Sequence, residues 1–436
     1  MTLRTTRRFR RVLLLLVLGA LAFRIGYVLI VTRYDNGFYD ATFYELEAKT
    51  VAAGRGFVAP LPGQYHEAAD HPPLTVAALV PAAELPGDSQ LWMRFTMAGL
   101  GSAVVALIGL LGCTIAGERT GLLAAGIAAL YPNLWMNDGL IMSETLAALT
   151  TVAALLLAYR MLRHPTWRVA AGLGAVCGLA ALTRAELGLL VPFLALPVTW
   201  LASRGQAWSR VRPVAVSVGA AALVVSPWIG FNLARFQEPT FLSTGDGIAL
   251  LGSNCRATFH GSGLGLWSPA CLPATAPRGD QSVQSLRDRN QATDYIGHHA
   301  SRLPVVVLAR FGRLLGVYTP GRIARYNAGE GRPQWATYLG IASLWALIPF
   351  AIAGGIWLRR RRTRIWLLFT PVWVVLISAA VFYGQPRFRV PTEPTVVVLA
   401  AVGIAELLGR RWPNLSPEPQ PAVARPVAAP AAGTPG

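Results

Sequence analysis

The chain has 436 residues, of which 53% are hydrophobic and only 14% carry a charged side chain. Soluble domains usually contain about 25% charged residues, so the composition excludes a soluble multidomain protein and predicts a membrane protein. The formal net charge is +18, but the arginines fall in short runs between apolar segments. That placement is a topology signal and gives no indication of nucleic-acid binding.

Ten apolar segments, each bounded by charged or turn-forming residues, predict transmembrane helices. In chain order they are residues 12–32, 95–116, 121–135, 140–162, 168–183, 187–203, 213–234, 337–358, 364–382 and 392–408. Each approaches the roughly 20 residues that cross a hydrocarbon core. No small-residue cleavage site follows the first segment, so we expect it to stay as an anchor. The predicted fold is an all-α integral membrane bundle of about ten transmembrane helices.

Five clusters of arginine predict the orientation of this bundle. They are Arg4, Arg7, Arg8, Arg10 and Arg11; Arg160, Arg163 and Arg168; Arg204, Arg210 and Arg212; Arg359 to Arg362 with Arg364; and Arg410 with Arg411. Cationic loops stay on the cytoplasmic side, and a single orientation puts all five clusters there. We therefore expect a multi-pass protein of the cell membrane with both termini in the cytoplasm. Residues 1–11 form the basic N-terminus, residues 12–409 the membrane core, and residues 410–436 a disordered Pro- and Ala-rich tail.

Two long segments then face the outside of the cell, at about residues 33–94 and 235–336. Each contains an apolar stretch that is unsuited to crossing the bilayer. Residues 72–85 are short and interrupted by proline, and residues 302–318 are interrupted by arginine. Both stretches predict interfacial helices that lie on the outer leaflet.

The four cysteines fall in two environments. Cys113 and Cys177 lie inside predicted spans, whereas Cys255 and Cys271 lie in the second outer segment. An oxidising exterior favours a disulfide between the latter two. The alternative interpretation is two free thiols in a loop.

Acidic residues are sparse in this chain, yet several follow the first span. Asp35 and Asp40 are among them. A carboxylate at the membrane surface suits a general base that removes a proton from an acceptor hydroxyl. The alternative is a solvated acidic loop that balances Arg33 and Arg55.

The predicted topology places further charges on the same outer side. They are Asp138, Glu144, Arg184, Glu186, Arg387 and Arg389. Carboxylates and guanidiniums from distant segments would thus meet at one surface, as a site for an anionic lipid head group and a hydroxyl acceptor requires. Arg387 and Arg389 depart from the positive-inside rule and lie in a turn fixed by prolines, which favours a phosphate clamp. Ion pairs that cap helix ends are the alternative for these charges.

Five stretches in this order resemble a known family: DATFYELEAKTVAAGRGF, DHPPL, YPNLWMNDGLIMSETLA, LTRAE and PRFRVPTEP. They are similar to the polytopic glycosyltransferases of the GT-C superfamily. The similarity is to the branch that contains dolichyl-phosphate-mannose protein mannosyltransferases (glycosyltransferase family 39) and bacterial aminoarabinose transferases. It extends over nearly the whole membrane core and implies a GT-C-like bundle with an extracytoplasmic active site.

The resemblance also assigns a catalytic base, because an acid in the first outer loop has that role in the family. The matching positions are Asp40, Phe43, Tyr44 and residues 54–57. Asp40 is therefore the implied base, and Asp35 is its competitor because it repeats the local pattern. Many members have Asp-Glu at this position, whereas Ala41 follows Asp40 here, so the second acid that would support a metal is missing.

The implied reaction is a single inverting displacement on a polyprenyl-phosphate sugar, with a glycan, a lipid or a protein as the acceptor. Arg387, Arg389 and Arg184 would bind the donor phosphate. The residues implied in substrate binding are Tyr44, His71, Asp138, Glu144 and Glu186. No cofactor is expected, since the sequence has no nucleotide fingerprint and no zinc-ligand spacing; metal dependence stays open. The sugar is mannose, arabinose or another.

A transporter or flippase of a lipid-linked saccharide is the alternative function, because it could use the same arginine clamp. Transporters usually show internal repeats and charges near the bilayer midplane. This sequence shows neither feature. A noncatalytic scaffold is a third possibility, and the presence of both Asp40 and Arg387 argues against it.

Overall fold

The computed structural model describes residues 5–33, 40–59, 66–203, 207–273 and 279–411. These ranges are helical and contain no strand, although Val58 and Glu67 form an isolated antiparallel bridge. The α-helices are α1 (Arg7–Tyr27), α2 (Asp40–Ala52), α3 (Leu74–Ala83), α4 (Ser89–Ala116), α5 (Glu118–Leu130), α6 (Pro132–Asp138), α7 (Glu144–Arg163), α8 (Trp167–Thr183), α9 (Leu196–Ala202), α10 (Ala207–Arg235), α11 (Gly245–Ser253), α12 (Arg256–Phe259), α13 (Gln281–His298), α14 (Leu303–Leu314), α15 (Pro320–Gly329), α16 (Gln334–Arg360), α17 (Trp366–Val381) and α18 (Glu393–Arg411). Short π segments are Val28–Thr32 and Val191–Ala195, and short 3₁₀ segments are Ala185–Leu189, Gly261–Gly263, Pro269–Cys271, Ala300–Arg302 and Pro386–Thr392.

Seven helical stretches in the described ranges are long and apolar enough to cross a membrane. They are Arg7–Thr32, Ser89–Ala116, Glu144–Arg163, Ala185–Ala202, Arg210–Arg235, Gln334–Arg360 and Pro386–Arg410. Two more of the predicted spans correspond to the shorter apolar helices α8 and α17. The predicted all-α membrane fold is confirmed.

The predicted span at residues 121–135 is wrong as a single helix. The structure divides it into α5 and α6 at Tyr131, whose backbone is extended with ψ of 115°. Pro132 follows directly, and a residue that precedes proline is sterically driven out of the α-helical region. Proline is well suited to the first turn of the new helix, so the break has a local cause.

Small residues set the closest helix contacts. At Gly354 of α16 a β-carbon would collide with the carbonyl of Leu399 on α18, and at Gly403 it would collide with the carbonyl of Phe350. Gly174 of α8 meets the backbone of α10 in the same way. Such glycines let membrane helices approach until their backbones touch.

The two stretches predicted to be interfacial are helical, as α3 and α14. The arginines of α14 are not on a solvent face, because Arg310 and Arg313 are 1% and 0% exposed. Arg310 donates to the carbonyls of Ala380 at the end of α17 (2.6 Å) and Ser253 at the end of α11 (2.8 Å). This face of α14 therefore packs on protein.

Within the second outer segment, a disulfide joins Cys255 to Cys271, whose Cα atoms lie 5.7 Å apart, and closes the loop between them. Replacing both residues with serine is expected to lower the free energy of unfolding by about 3 kcal/mol, because the unfolded loop regains its freedom. Thermal unfolding in detergent, with and without reductant, measures this. The reductant should lower the melting temperature of wild type and leave that of the double variant unchanged; equal melting of both proteins in oxidising buffer would contradict the prediction.

A buried ion pair joins α1 to the bundle. The Nε atom of Arg24 donates to Oδ2 of Asp138 over 2.7 Å, and Oδ1 of Asp138 accepts from the Thr145 hydroxyl over 2.8 Å. The two charged side chains are 1% and 4% exposed. A β-carbon at Gly101 would collide with the Asp138 carboxyl, so the glycine makes room for the pair.

Arg24→Leu is expected to destabilise the protein by about 3–5 kcal/mol, because it leaves Asp138 charged, buried and unpaired. The double variant Arg24→Leu, Asp138→Leu removes both charges and should recover most of that loss. Thermal unfolding of the two variants beside wild type checks this. A single variant as stable as the double variant would show that the charge pair is not what holds α1.

Candidate active site

The first part of the site is the start of α2. Asp40 is its first residue, and Tyr44 follows one turn later on the same face. The Tyr44 side chain is 2% exposed, whereas the Asp40 side chain is 40% exposed. A carboxylate in this position is favoured by the positive end of the helix dipole. Tyr44 is therefore buried in the protein, and Asp40 is partly exposed at the N-terminal end of α2.

Arg387 faces Asp40 from a segment that is 347 residues away in sequence. The 3₁₀ segment Pro386–Thr392 holds it between α17 and α18. Its Nη1 donates to Asp40 Oδ2 over 2.9 Å, its Nη2 lies 3.3 Å from Glu330 Oε1, and its Nη1 lies 3.7 Å from Glu144 Oε1. The Arg387 side chain is 6% exposed, so it meets these three carboxylates in largely buried surroundings.

Glu144 and Arg184 extend the site on the other side. Glu144 begins α7, and Arg184 follows the last residue of α8, with Arg184 Nη1 and Glu144 Oε1 3.7 Å apart. The Nε of Arg184 donates to Glu186 over 2.7 Å, and its guanidinium lies 4.8 Å from the centre of the Phe388 ring. Neither carboxylate oxygen of Glu144 has a hydrogen-bond partner in the described ranges.

Two further charged residues complete the arrangement, and the sequence analysis named neither. Glu330 Oε2 pairs with Arg332 Nη1 at 2.9 Å, and Arg332 Nη2 lies 3.5 Å from Glu144 Oε1. Arg332 also donates to the Asn137 side chain over 2.8 Å. A signal was present in the sequence, because the run AGEGRPQW puts two charges just before a predicted span, on its predicted outer side.

We call this cluster of charges the acid–arginine network. Its members are Asp40, Glu144, Glu186, Glu330, Arg184, Arg332 and Arg387. It brings together residues from both outer segments and from three turns between helices. Five of the seven members were named from the sequence.

Two residues predicted for the site have other partners. Asp138 pairs with Arg24 and Thr145 through both of its oxygens, so we assign it no substrate contact. Arg389 donates to Glu393 over 2.6 Å and also to the carbonyl of Leu314. Arg387 and Arg389 are two residues apart in a 3₁₀ segment of about three residues per turn, so their side chains point in different directions.

His71 lies beside the network. Its ring centre is 4.5 Å from that of Tyr44, and its Nδ1 is buried with no hydrogen-bond partner in the described ranges. It lies close enough to Asp40 to act on that carboxyl electrostatically. Asp35, the competitor of Asp40, lies outside the described residues.

The surroundings of Asp40 determine its charge. Burial alone would raise the pKa of the Asp40 carboxyl, but the charges of Arg387, His71 and Arg184 and the hydrogen bond from Arg387 lower it to about 2. Asp40 is therefore ionised at neutral pH. Burial raises the pKa of the Glu330 carboxyl, although the charges of Arg387 and Arg332 oppose that shift.

Comparison with known proteins gives one family match. Residues 70–231 match the family model described as dolichyl-phosphate-mannose-protein mannosyltransferase. No curated protein sequence matches the chain at a significant level.

Solved structures show a similar fold. Archaeal oligosaccharyltransferase AglB from Archaeoglobus fulgidus, in complex with an inhibitory peptide and a dolichol-phosphate, is 15% identical, covers 94% of this chain and 51% of its own, and has a TM-score of 0.54. The apo form of the oligosaccharyltransferase from that organism is 14% identical, covers 95% of this chain and 52% of its own, and has a TM-score of 0.54. ArnT from Cupriavidus metallidurans bound to undecaprenyl phosphate is 17% identical, covers 91% of this chain and 79% of its own, and has a TM-score of 0.45.

This chain spans about half the length of these two oligosaccharyltransferase structures. Because they are only 15% and 14% identical to this chain, they establish its fold and nothing more. The family match covers the region from α3 through most of α10. The predicted resemblance is confirmed on these two grounds. The chain is a multi-pass membrane protein with the GT-C fold, and its residues 70–231 match the dolichyl-phosphate-mannose-protein mannosyltransferase family.

Proposed function

We propose that the protein is an inverting glycosyltransferase that moves a sugar from a polyprenyl-phosphate donor to an extracytoplasmic acceptor. The acceptor is a cell-envelope glycan, a lipid or a protein. One observation carries this proposal: Arg387 Nη1 lies 2.9 Å from Asp40 Oδ2. A base for the acceptor hydroxyl and a cation for the donor phosphate are thus adjacent, and such positioning supplies a large part of the rate of a transfer reaction.

The donor class is supported by two observations. The AglB structure of similar fold holds a dolichol-phosphate, and an arginine fork is well matched to a phosphate group. The arginine clusters support a cell-membrane protein with both termini in the cytoplasm and the acid–arginine network outside.

In this mechanism Asp40 accepts the proton of the acceptor hydroxyl while the acceptor oxygen bonds to the anomeric carbon. The bond between that carbon and the phosphate oxygen breaks, its electron pair leaves with the lipid phosphate, and the configuration inverts. With Arg387 bound to it, Asp40 is a weak base, because its pKa is about 2. When the phosphate engages Arg387, its negative charge offsets part of the attraction of the guanidinium for the Asp40 charge, so the proton affinity of Asp40 rises.

Arg387 stabilises the leaving group, since negative charge grows on the phosphate oxygens as the bond breaks. Arg184 and Arg332 add positive charge nearby, and Glu144 and Glu186 hold Arg184 in place. Tyr44 and His71 border Asp40 and are the residues we assign to sugar or acceptor contacts. Arg389 stays a prediction from sequence, because Glu393 is its partner in the structure.

The test is release of polyprenyl phosphate from purified full-length protein in lipid nanodiscs. A panel of polyprenyl-phosphate sugars is supplied with a pool of membrane glycans and peptides as acceptors. Acceptor-dependent release with at least one donor is the expected result. Binding of the lipid without release from any donor would instead favour the transporter or flippase.

A further inference from the structure

With every member ionised, the acid–arginine network carries an excess of negative charge. Its four carboxylates are Asp40, Glu144, Glu186 and Glu330, and its three guanidiniums are Arg184, Arg332 and Arg387. One formal negative charge remains when all are ionised. A donor phosphodiester would add a second negative charge in surroundings where unpaired charge is costly.

The donors of Arg387 are also occupied. Nη1 contacts Asp40 at 2.9 Å and lies 3.7 Å from Glu144, and Nη2 contacts Glu330 at 3.3 Å. The side chains of Gln385, Tyr383 and Phe388 also contact this guanidinium. A phosphate that engages Arg387 must therefore replace a carboxylate. Both the charge and the geometry require that one carboxylate withdraw or become neutral.

Asp40 and Glu330 differ in their ability to do so. The Asp40 side chain is 40% exposed, and its pKa of about 2 keeps it ionised. The Glu330 side chain is 4% exposed, and burial raises its pKa. Of these two, Glu330 is thus the carboxyl whose neutral form costs less, and Arg332 stays beside it as a hydrogen-bond donor.

We propose that Glu330 is a proton-linked positioning residue of the donor site, which becomes neutral when a lipid phosphodiester binds Arg387. Donor binding then takes up one proton, and Arg387 Nη2 turns from Glu330 to the phosphate. This inference rests on the proposed function, specifically on Arg387 as the residue that binds the phosphate. Glu330 takes no part in the chemical step, yet its carboxyl determines the affinity for the donor.

The other charged and titratable groups that act on Glu330 or face it are Asp40, Glu144, Arg332, Arg387, Tyr326 and Tyr383. Burial raises the pKa of both tyrosines, that of Tyr383 to about 12, so they stay neutral between pH 5 and 9. The guanidiniums stay charged in that range. Glu144, and His71 beside Asp40, are the other titratable groups of the site from which a proton linkage could come, and a linkage through either would persist in Glu330→Gln.

The experiment measures the affinity of farnesyl methyl phosphodiester for the full-length protein in nanodiscs between pH 5 and 9. This probe has one negative charge that does not titrate in that range. Uptake of one proton means that affinity falls up to tenfold per pH unit above the pKa of the linked group. We expect such a slope for wild type and a flat profile for Glu330→Gln, which is already neutral.

Glu186→Gln is the matched control. It removes one negative charge from the same network, but Glu186 contacts Arg184 and not Arg387. It should keep the slope of wild type. Calorimetry of wild type in buffers of different ionisation enthalpy counts the protons directly and needs no variant. A flat wild-type profile, no proton uptake, or a slope that persists in Glu330→Gln would overturn the inference.

The failure of the proposed function would be visible separately. Arg387→Gln should bind the phosphodiester much more weakly than wild type at every pH. Unchanged binding by that variant would remove the phosphate site itself. Weakened binding by Arg387→Gln with a persistent slope in Glu330→Gln would leave the donor site in place and reject only the role of Glu330.

Discussion

Asp40→Asn is expected to lower kcat for sugar transfer by about 10²–10⁴-fold, the range that a positioned general base contributes. The amide has nearly the shape of the carboxylate and still accepts a hydrogen bond from Arg387, but it cannot take the acceptor proton. Donor binding should therefore change much less than kcat. Release of polyprenyl phosphate at saturating donor, beside a direct binding measurement, separates the two effects.

Two other acids serve as controls for Asp40. Glu45→Gln changes a carboxylate on the same helix whose partners are Lys49 and Gln90, and it should keep most of the activity. Asp35→Asn tests the competing base that the sequence pattern offers. Activity lost in Asp35→Asn and retained in Asp40→Asn would transfer the role of base to Asp35.

Arg387→Gln is expected to lower kcat/KM by about 10²–10³-fold, the loss that follows removal of one preorganised donor to a developing charge. Arg387→Lys should recover only part of it, because lysine keeps the charge but not the planar fork. Initial rates at low donor concentration measure the effect. Stability must be measured as well, since the variant leaves Asp40 and Glu330 without their shared cation.

The double variant Arg387→Gln, Glu330→Gln deals with that difficulty. It removes one charge of each sign from the network, so its melting temperature should return toward that of wild type. Its transfer activity should stay low, because the phosphate still lacks its donor. Recovered activity in the double variant would mean that Arg387 serves only to neutralise Glu330.

The membrane fold was predictable because hydropathy and arginine placement act over whole segments. A run of about 20 apolar residues specifies a span whatever its neighbours are. The break at Tyr131 depends instead on one proline within an apolar run. A criterion based on the length of the run does not detect such a break. Local backbone chemistry overrode the segment-level signal at that point.

The site was predictable in part, for a related reason. Topology determines which side of the membrane a residue lies on, and this was enough to group Asp40, Glu144 and Arg387. It does not determine the direction of a side chain around its helix or which helices are neighbours. Asp138 instead pairs with Arg24 in the bundle, and predicting that contact would require knowing that α1 packs beside the end of α6.

Glu330 and Arg332 escaped prediction because they lie in a connection between helices and match none of the motifs used. Their importance comes only from proximity, since Arg332 contacts both Glu144 and Glu330. Charge counting along the predicted outer turns would have found them. A region in which acids are sparse makes every outer carboxylate informative.

The contacts of Arg310 join the second outer segment to the stretch of chain that carries Arg387. The Arg310 side chain joins α14 to the last turn of α17 and to the end of α11. Gly384 packs against the backbone of Arg310, and a β-carbon at Gly384 would collide with the Arg310 carbonyl. The same short stretch of chain continues into Arg387. Close-packed contacts of this kind transmit displacement. The second outer segment and the stretch that carries Arg387 are therefore mechanically coupled, and we expect a displacement of α14 to move Arg387 as well.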